Sequence, residues 1–322
     1  MLSTNENYIG PAAGVATSLL WTATSLLFTA AGRRLGPTVV NGTRIGLAIV
    51  LLGITHRLLA GSWIPDLVAG QVVFLALSGI VGLAIGDQAL FTAFVDIGPR
   101  LSMLIMATSP IFAALFGWIA LGEVLSGVAC VGMAVTIGGV AWVVLEQPKS
   151  SQEVFPAALR YRGIVLAFVG AACQAGGLLL SKQGIGHGWL PQSEHIDPQA
   201  ATYVRMVFAG LGVLPILLWH GLRSSRRAGA APSGASRRQG TRAGGFAFAA
   251  AGATVGPFLG VWMSLVASDR APLGIAQTLC SLPPVFILPC TFLFYRESVS
   301  PRAILGAFLA VGGGALLFLK TG

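Results

Sequence analysis

Runs of about 20 residues with almost no charge recur along this 322-residue chain, and they leave few folds open. An apolar run of that length crosses the hydrocarbon of a bilayer as one helix. Ten such stretches are present, at about 11–31, 38–59, 67–94, 101–121, 124–145, 163–181, 200–219, 244–266, 272–294 and 303–319. In lipid, every backbone polar group must find its partner inside its own segment, which selects helices. A membrane barrel would alternate apolar and polar residues, and these runs do not. A soluble fold fails on surface cover: 55% of the residues are apolar and 10% charged, against roughly 45–50% and 25% in soluble domains. The expected fold class is an all-α integral membrane protein with ten transmembrane helices.

The opening residues, MLSTNENYIGP, carry no basic leader and no small-residue cleavage site, so the first stretch is expected to be retained. The four cysteines (Cys130, Cys173, Cys280, Cys290) fall inside apolar stretches without CxxC pairing and read as small packing residues. His56, His187, His195 and His220 fall in loops or at stretch ends without a spacing such as HExxH. No metal site and no cofactor is expected. The tripeptide NGT at 41–43 matches a glycosylation acceptor but opens a membrane stretch, and no glycan is expected there.

The chain contains an internal repeat. From position 110 onward, a shift of 174 residues brings Pro110 onto Pro284, Phe112 onto Phe286, Glu123 onto Glu297, Ser126 onto Ser300 and Gly132 onto Gly306. Earlier, TRIGLA at 43–48 meets VRMVFA at 204–209, which sets Arg44 opposite Arg205. Two five-stretch units follow, 1–149 and 150–322. Five is odd, so the two units cross the membrane in opposite directions, an arrangement suited to alternating access around a central cavity. Glu123 and Glu297 fall at the turns before the fifth and tenth stretches, where a carboxylate caps the helix that follows. The glycines at 132, 138–139, 306 and 312–314 let helix backbones approach closely.

The block GIVGLAIGDQALFTAFVDIGPRLSMLIMATSPIFAALFGWIALGEVLSGVACVGMAVTIGG at 79–139 resembles the EamA-type, ten-helix branch of the drug/metabolite transporter superfamily. Gly86, Ala93, Pro110, Gly122, Glu123, Ser126 and Gly132 carry the resemblance. The second half repeats the pattern more weakly, with Arg296 before Glu297 and with Pro257 set opposite Asp87. The resemblance implies a transporter of amino acids, sugars or other small metabolites, often outward and often coupled to protons. It also implies that the first, third, fourth, sixth, eighth and ninth stretches surround the cavity.

Polar residues inside the apolar stretches are the candidate site. A charge at bilayer depth costs about 2.5–3.5 kcal/mol on insertion scales, so it needs a reason. Asp87 lies nine residues before Asp96, about 13 Å of helix rise from the stretch end, with Gln88 beside it. It suits proton coupling or substrate binding, and equally a structural carboxylate bonded to a basic group. Arg44 and Arg205, as inverted repeat mates, are expected toward opposite faces, either as gates and anion anchors or as snorkelling residues. Lys182 would bind an anionic group or snorkel from its stretch end. Trp21, Gln174, Trp262 and Gln277 would line a cavity for a small amphipathic molecule. Pro110, Pro283 and Pro284 interrupt the fourth and ninth stretches as hinges or as simple kinks.

The reading that unites these features is a secondary active transporter, an exporter of an amino acid or related compound, driven by protons or by exchange. No Walker motif is present to couple it directly to ATP. An exchanger of phosphorylated or nucleotide-linked sugars, with Arg44, Lys182 and Arg205 as phosphate ligands, is the alternative within transport. A polytopic enzyme on lipid-linked substrates would need clustered acids or a nucleophile with its base, and Asp87 stands largely alone. The expected partners are a small-molecule substrate, protons and the lipid bilayer. Ten helices enclose a pathway in one chain, so a monomer is expected.

The net charge of +9 would suit nucleic acid, but its placement argues for a membrane. Arg223, Arg226, Arg227, Arg237, Arg238 and Arg242 lie in one Gly/Ser/Ala-rich linker, about 223–243, expected to be disordered and cytoplasmic. Loops after odd-numbered stretches hold about 14 basic residues, and the other loops with the termini about 4. The positive-inside rule then puts both termini outside a bacterial inner membrane. A C-terminal reporter that is active only in the cytoplasm should stay dark in whole cells; a bright signal would reverse this orientation.

Overall fold

A computed structural model describes residues 3–121, 127–144, 156–186, 195–228, 241–270, 279–295 and 300–316. The described residues form helices and connections, with no strand among them. The helices are α1 (Ser3–Leu35), α2 (Pro37–Ala60), α3 (Ala69–Ser78), α4 (Asp87–Met106), α5 (Ser109–Leu121) and α6 (Gly127–Val144) in the first half. The second half holds α7 (Ala157–Ile185), α8 (Pro198–Ala228), α9 (Arg242–Ala253), α10 (Val261–Arg270), α11 (Pro283–Tyr295) and α12 (Pro301–Leu316). Two π-helical segments join neighbours: Gly79–Gly86 between α3 and α4, and Thr254–Gly260 between α9 and α10.

Among the described residues, six helical stretches are long and apolar enough to cross a membrane: Ile9–Leu35, Pro37–Ala60, Ala69–Met106, Ala157–Ile185, Pro198–Trp219 and Arg242–Arg270. Cys130–Trp142 and Ile304–Gly313 are shorter apolar helices. The third and fourth expected stretches are joined differently from the sequence reading. Helix runs from Asp87 through to Met106 across a kink at Gly98, whose φ of 77° lies in the left-handed region that only glycine adopts easily. A second break at Ala107–Thr108 precedes α5, where Thr108 O accepts from Ile111 N–H at 2.9 Å. Pro110 therefore sits in the first turn of α5, where no N–H is needed, and Pro283 and Pro284 open α11 in the same way. These prolines start helices after a break.

The 223–243 linker is shorter than expected. α8 continues to Ala228, carrying the backbone of Arg223, Arg226 and Arg227 in helical form, and α9 starts at Arg242. Thr241 caps α9, its Oγ1 accepting from Gly244 N–H at 3.2 Å. Leucine, alanine and arginine are good helix formers, and a helix leaving the bilayer needs no lipid to continue. Residues 229–240, with Arg237 and Arg238, lie outside the described residues, as do Glu123, Glu297 and Gln277.

Packing between the halves follows a two-fold pattern. α1 lies along α9, the second π segment and α10, while α7 lies along α3, the first π segment and α4. α2 packs on its repeat mate α8, and α6 on its mate α12. At the α6–α12 seam, a Cβ on Gly139 would come 2.8 Å from Gly306 O, so glycine sets the approach. Arg162 at the start of α7 clamps Asp96 on α4 with two bonds, Nε to Oδ2 at 2.8 Å and Nη2 to Oδ1 at 2.7 Å.

The first π segment is held by glycine contacts. A Cβ on Gly79 would collide with the backbone oxygen of Arg205, and one on Gly177 would fall 2.9 Å from Gly82 Cα. Gly138, by contrast, faces open space. Gly79→Ala should therefore cost about 1–3 kcal/mol or more by overpacking, while Gly138→Ala leaves stability unchanged. Thermal unfolding in detergent would show the difference; equal melting points would remove the close approach of the π segment to α8.

Candidate functional site

The two π segments occupy matching places in the repeats. At the same 174-residue shift, Gly82 and Gly86 fall on Gly256 and Gly260, and the α-helix resumes at Asp87 in one half and Val261 in the other. Asp87 is thus opposite Val261, not Pro257, and it has no acidic mate. In each segment the backbone reaches back five residues: Asp87 N–H bonds Gly82 O, and Val261 N–H bonds Gly256 O. In an α-helix the Asp87 N–H would go to Leu83 O. Here Leu83 O accepts from Arg44 Nη2 at 2.9 Å.

Arg44 is engaged through Nε and Nη2. It is 2% exposed, its Nη2 also donates to Asp87 Oδ2 at 2.5 Å, and its Nε donates to Asn41 Oδ1 at 3.0 Å. Its guanidinium lies 4.7 Å from the Phe91 ring centre, within cation–π range. Asn41 is buried one turn earlier on α2. Its Nδ2 donates to Ala84 O at 3.3 Å and to Gln88 Oε1 at 3.2 Å, and Gln88 Nε2 donates to Thr38 Oγ1 at 3.0 Å. Helix α2 is thereby stitched to the π segment and to the start of α4.

Arg44 and Asp87 form one wall of a cavity of about 80 Å³. Trp21, Thr24, Ser25 and Phe28 of α1 line it, with Phe91, Phe94, Met103 and Met106 of α4, Gln174 of α7, and Gly256, Pro257 and Val261. Its surface is mostly apolar and aromatic, with a few polar groups. The Thr24 hydroxyl is buried without a hydrogen-bond partner among the described residues.

Four candidates from the sequence meet here: Trp21, Arg44, Asp87 and Gln174. Gln88 is engaged with α2 and is not on the wall. Trp262 lies beside the wall residue Val261, with its ring 6.1 Å from Phe258. Lys182 occupies the last turn of α7, away from the cavity lining. Arg205 is 3% exposed on α8, with its Nη2 against Gly82. It is not among the residues that line the cavity; Leu83, next to Gly82, is.

Sequence reading misses Asn41, Thr24 and the Phe28–Phe91–Phe94 wall. NGT reads only as a glycan acceptor. Polar residues spaced along an apolar stretch are the available signal for α1: Thr17, Thr22, Ser25 and Thr29 are all buried, with hydroxyls bonded back to their own helix.

The model of the EamA-like transporter family matches the chain twice, over residues 8–145 and 161–319. Among solved structures, one described only as a crystal structure of a protein has a TM-score of 0.62 at 19% identity, covering 96% of each chain. That likeness shows a shared fold. No curated protein matches the chain.

Removing one partner of a buried ion pair costs more than replacing both, because the survivor is left uncompensated. Asp87→Asn should destabilise the protein by about 3–5 kcal/mol. The double variant Arg44→Met/Asp87→Leu should melt closer to wild type. Thermal unfolding in detergent checks both; an Asp87→Asn protein that melts with wild type would show that the pair does not hold α2 to α4.

Proposed function

This chain belongs to the EamA-like transporter family, and from that premise we propose that it is a secondary active exporter of a small metabolite, an amino acid or related compound. The observation that carries the proposal is the cavity between the halves, walled by α1, α4, α7 and the second π segment, with an ion pair on an otherwise apolar lining. Pockets of that kind take amphipathic molecules, the few polar groups fixing orientation.

In this reading the chain crosses a bacterial inner membrane ten times as two inverted five-helix units, 1–149 and 150–322, with both termini outside. The matched π segments and the crossed packing of α1 on α9–α10 and α7 on α3–α4 support it. Rocking of one unit against the other would open the cavity to each side in turn. The helix breaks before Pro110 and Pro283–Pro284 would act as hinges. Asp87 would couple transport to protons by exchanging its bond with Arg44 for a proton, and Trp21 and Gln174 would contact the substrate. One chain would suffice as the working unit.

Untargeted profiling of cells and medium tests this, comparing wild type, Trp21→Ala, Gln174→Ala and empty vector at matched membrane levels. A metabolite class should accumulate in the medium with wild type and fall about tenfold in the cavity variants, the scale of one lost contact. Medium indistinguishable between wild type and empty vector would remove the exporter reading.

A further inference from the structure

The charges around the cavity do not cancel. Among the described residues, Asp87 is ion-paired with Arg44, and Arg205 forms no ion pair. One buried guanidinium is left in excess. Arg205 Nε has no hydrogen-bond partner among the described residues, and no acceptor among them reaches the rest of its guanidinium. An uncompensated cation at this depth is costly, and five donors in a fixed fork are built for a carboxylate or phosphate.

The repeat shows what Arg205 lacks. Asn41, which accepts from Arg44 Nε, is matched by Thr202, whose hydroxyl donates to Pro198 O at 2.7 Å instead. Asp87 is matched by Val261, and Phe91, which lies under the Arg44 guanidinium, by Leu265. The side chains of Val261 and Leu265 offer neither an acceptor nor an aromatic face, and the Thr202 hydroxyl makes no bond to Arg205. The arginine itself is retained; it lies just outside the cavity lining, against Gly82, one residue from the cavity-lining Leu83, and a ligand in the cavity would have to reach it past the π segment.

We propose that Arg205 is an anion subsite of the cavity and that the transported molecule is an organic monoanion, its carboxylate on Arg205 and its apolar or aromatic body against Trp21, Phe28 and Phe94. This rests on the transport reading above and narrows its substrate class. A free amino acid brings an ammonium group as well, and the acid that would receive it, Asp87, is held by Arg44. A phosphate dianion would overshoot the single excess charge. A carboxylate whose amine is absent or acylated balances the site. The Thr24 hydroxyl supplies a second unused donor on the cavity wall.

Three probes of matched shape test it on the full-length protein in nanodiscs: N-acetylphenylalanine (anion), phenylalanine (zwitterion) and N-acetylphenylalaninamide (neutral). Calorimetric titration of wild type should favour the anion over the other two by about tenfold or more, the scale of a charge-assisted bond. Arg205→Gln should lose that preference, and Arg205→Lys, which keeps the charge, should retain part of it. The proposal is overturned if wild type binds the neutral or zwitterionic probe as tightly as the anion, or binds none of the three. It is overturned equally if Arg205→Gln keeps the preference. The wild-type series is decisive without the variants, so a poorly folding variant does not shelter the proposal. Flux of the bound probe across sealed proteoliposomes is read separately: binding without flux removes the transport reading and leaves the anion subsite standing.

Discussion

The Arg44–Asp87 pair is the contact around which the interior of this protein is arranged. Two charges cannot be left bare in lipid, so each must be bonded as well as paired. The π segment Gly79–Gly86 sends the Asp87 N–H past Leu83 to Gly82 O, and Leu83 O receives the guanidinium. Asn41 accepts the remaining Nε proton and donates its own amide to Ala84 O and Gln88. The π segment in turn exists where glycines allow α7 and α8 to press against it, backbone to backbone. Ion pair, helix defect and close packing are one construction.

Duplication supplies the frame, and divergence supplies the chemistry. Both halves keep a π segment with paired glycines, both keep an arginine on the second helix, and both begin a helix with proline after a break. Packing between halves follows from that likeness. The polar equipment does not: the first half satisfies its arginine internally, whereas Thr202, Val261 and Leu265 leave Arg205 without an acceptor among the described residues. A symmetric scaffold thus encloses an asymmetric cavity, and a cavity that binds a molecule with distinct ends needs that asymmetry.

Much of this is legible in the residues themselves. Uncharged runs of membrane length force helices, because lipid offers the backbone no partners. The 174-residue shift exposes the repeat, and the cost of a buried charge singles out Asp87, Arg44 and Arg205. Other features are invisible for identifiable reasons. Asn41 looks like a glycan acceptor, since nothing in NGT reports that its side chain turns inward. Gln88 and Trp262 sit next to wall residues, and one step along a helix turns a side chain by about 100°. Matching Asp87 with Pro257 departs from the 174-residue offset, which carries Asp87 to Val261, where α-helix resumes after each π segment.

The sequence by itself determined the membrane class, the helical character, the two repeats and the charged residues that would need partners. Those follow from local composition and from the cost of exposing polar groups to lipid, which depend little on what lies across the fold. Tertiary structure alone decided who those partners are. Arg44 and Arg205, expected at opposite faces, both reach the first π segment, at Leu83 O and against Gly82, and only Arg44 is paired with an acid, because hydrogen bonds form between residues that packing brings together and not between residues that the chain numbers as mates.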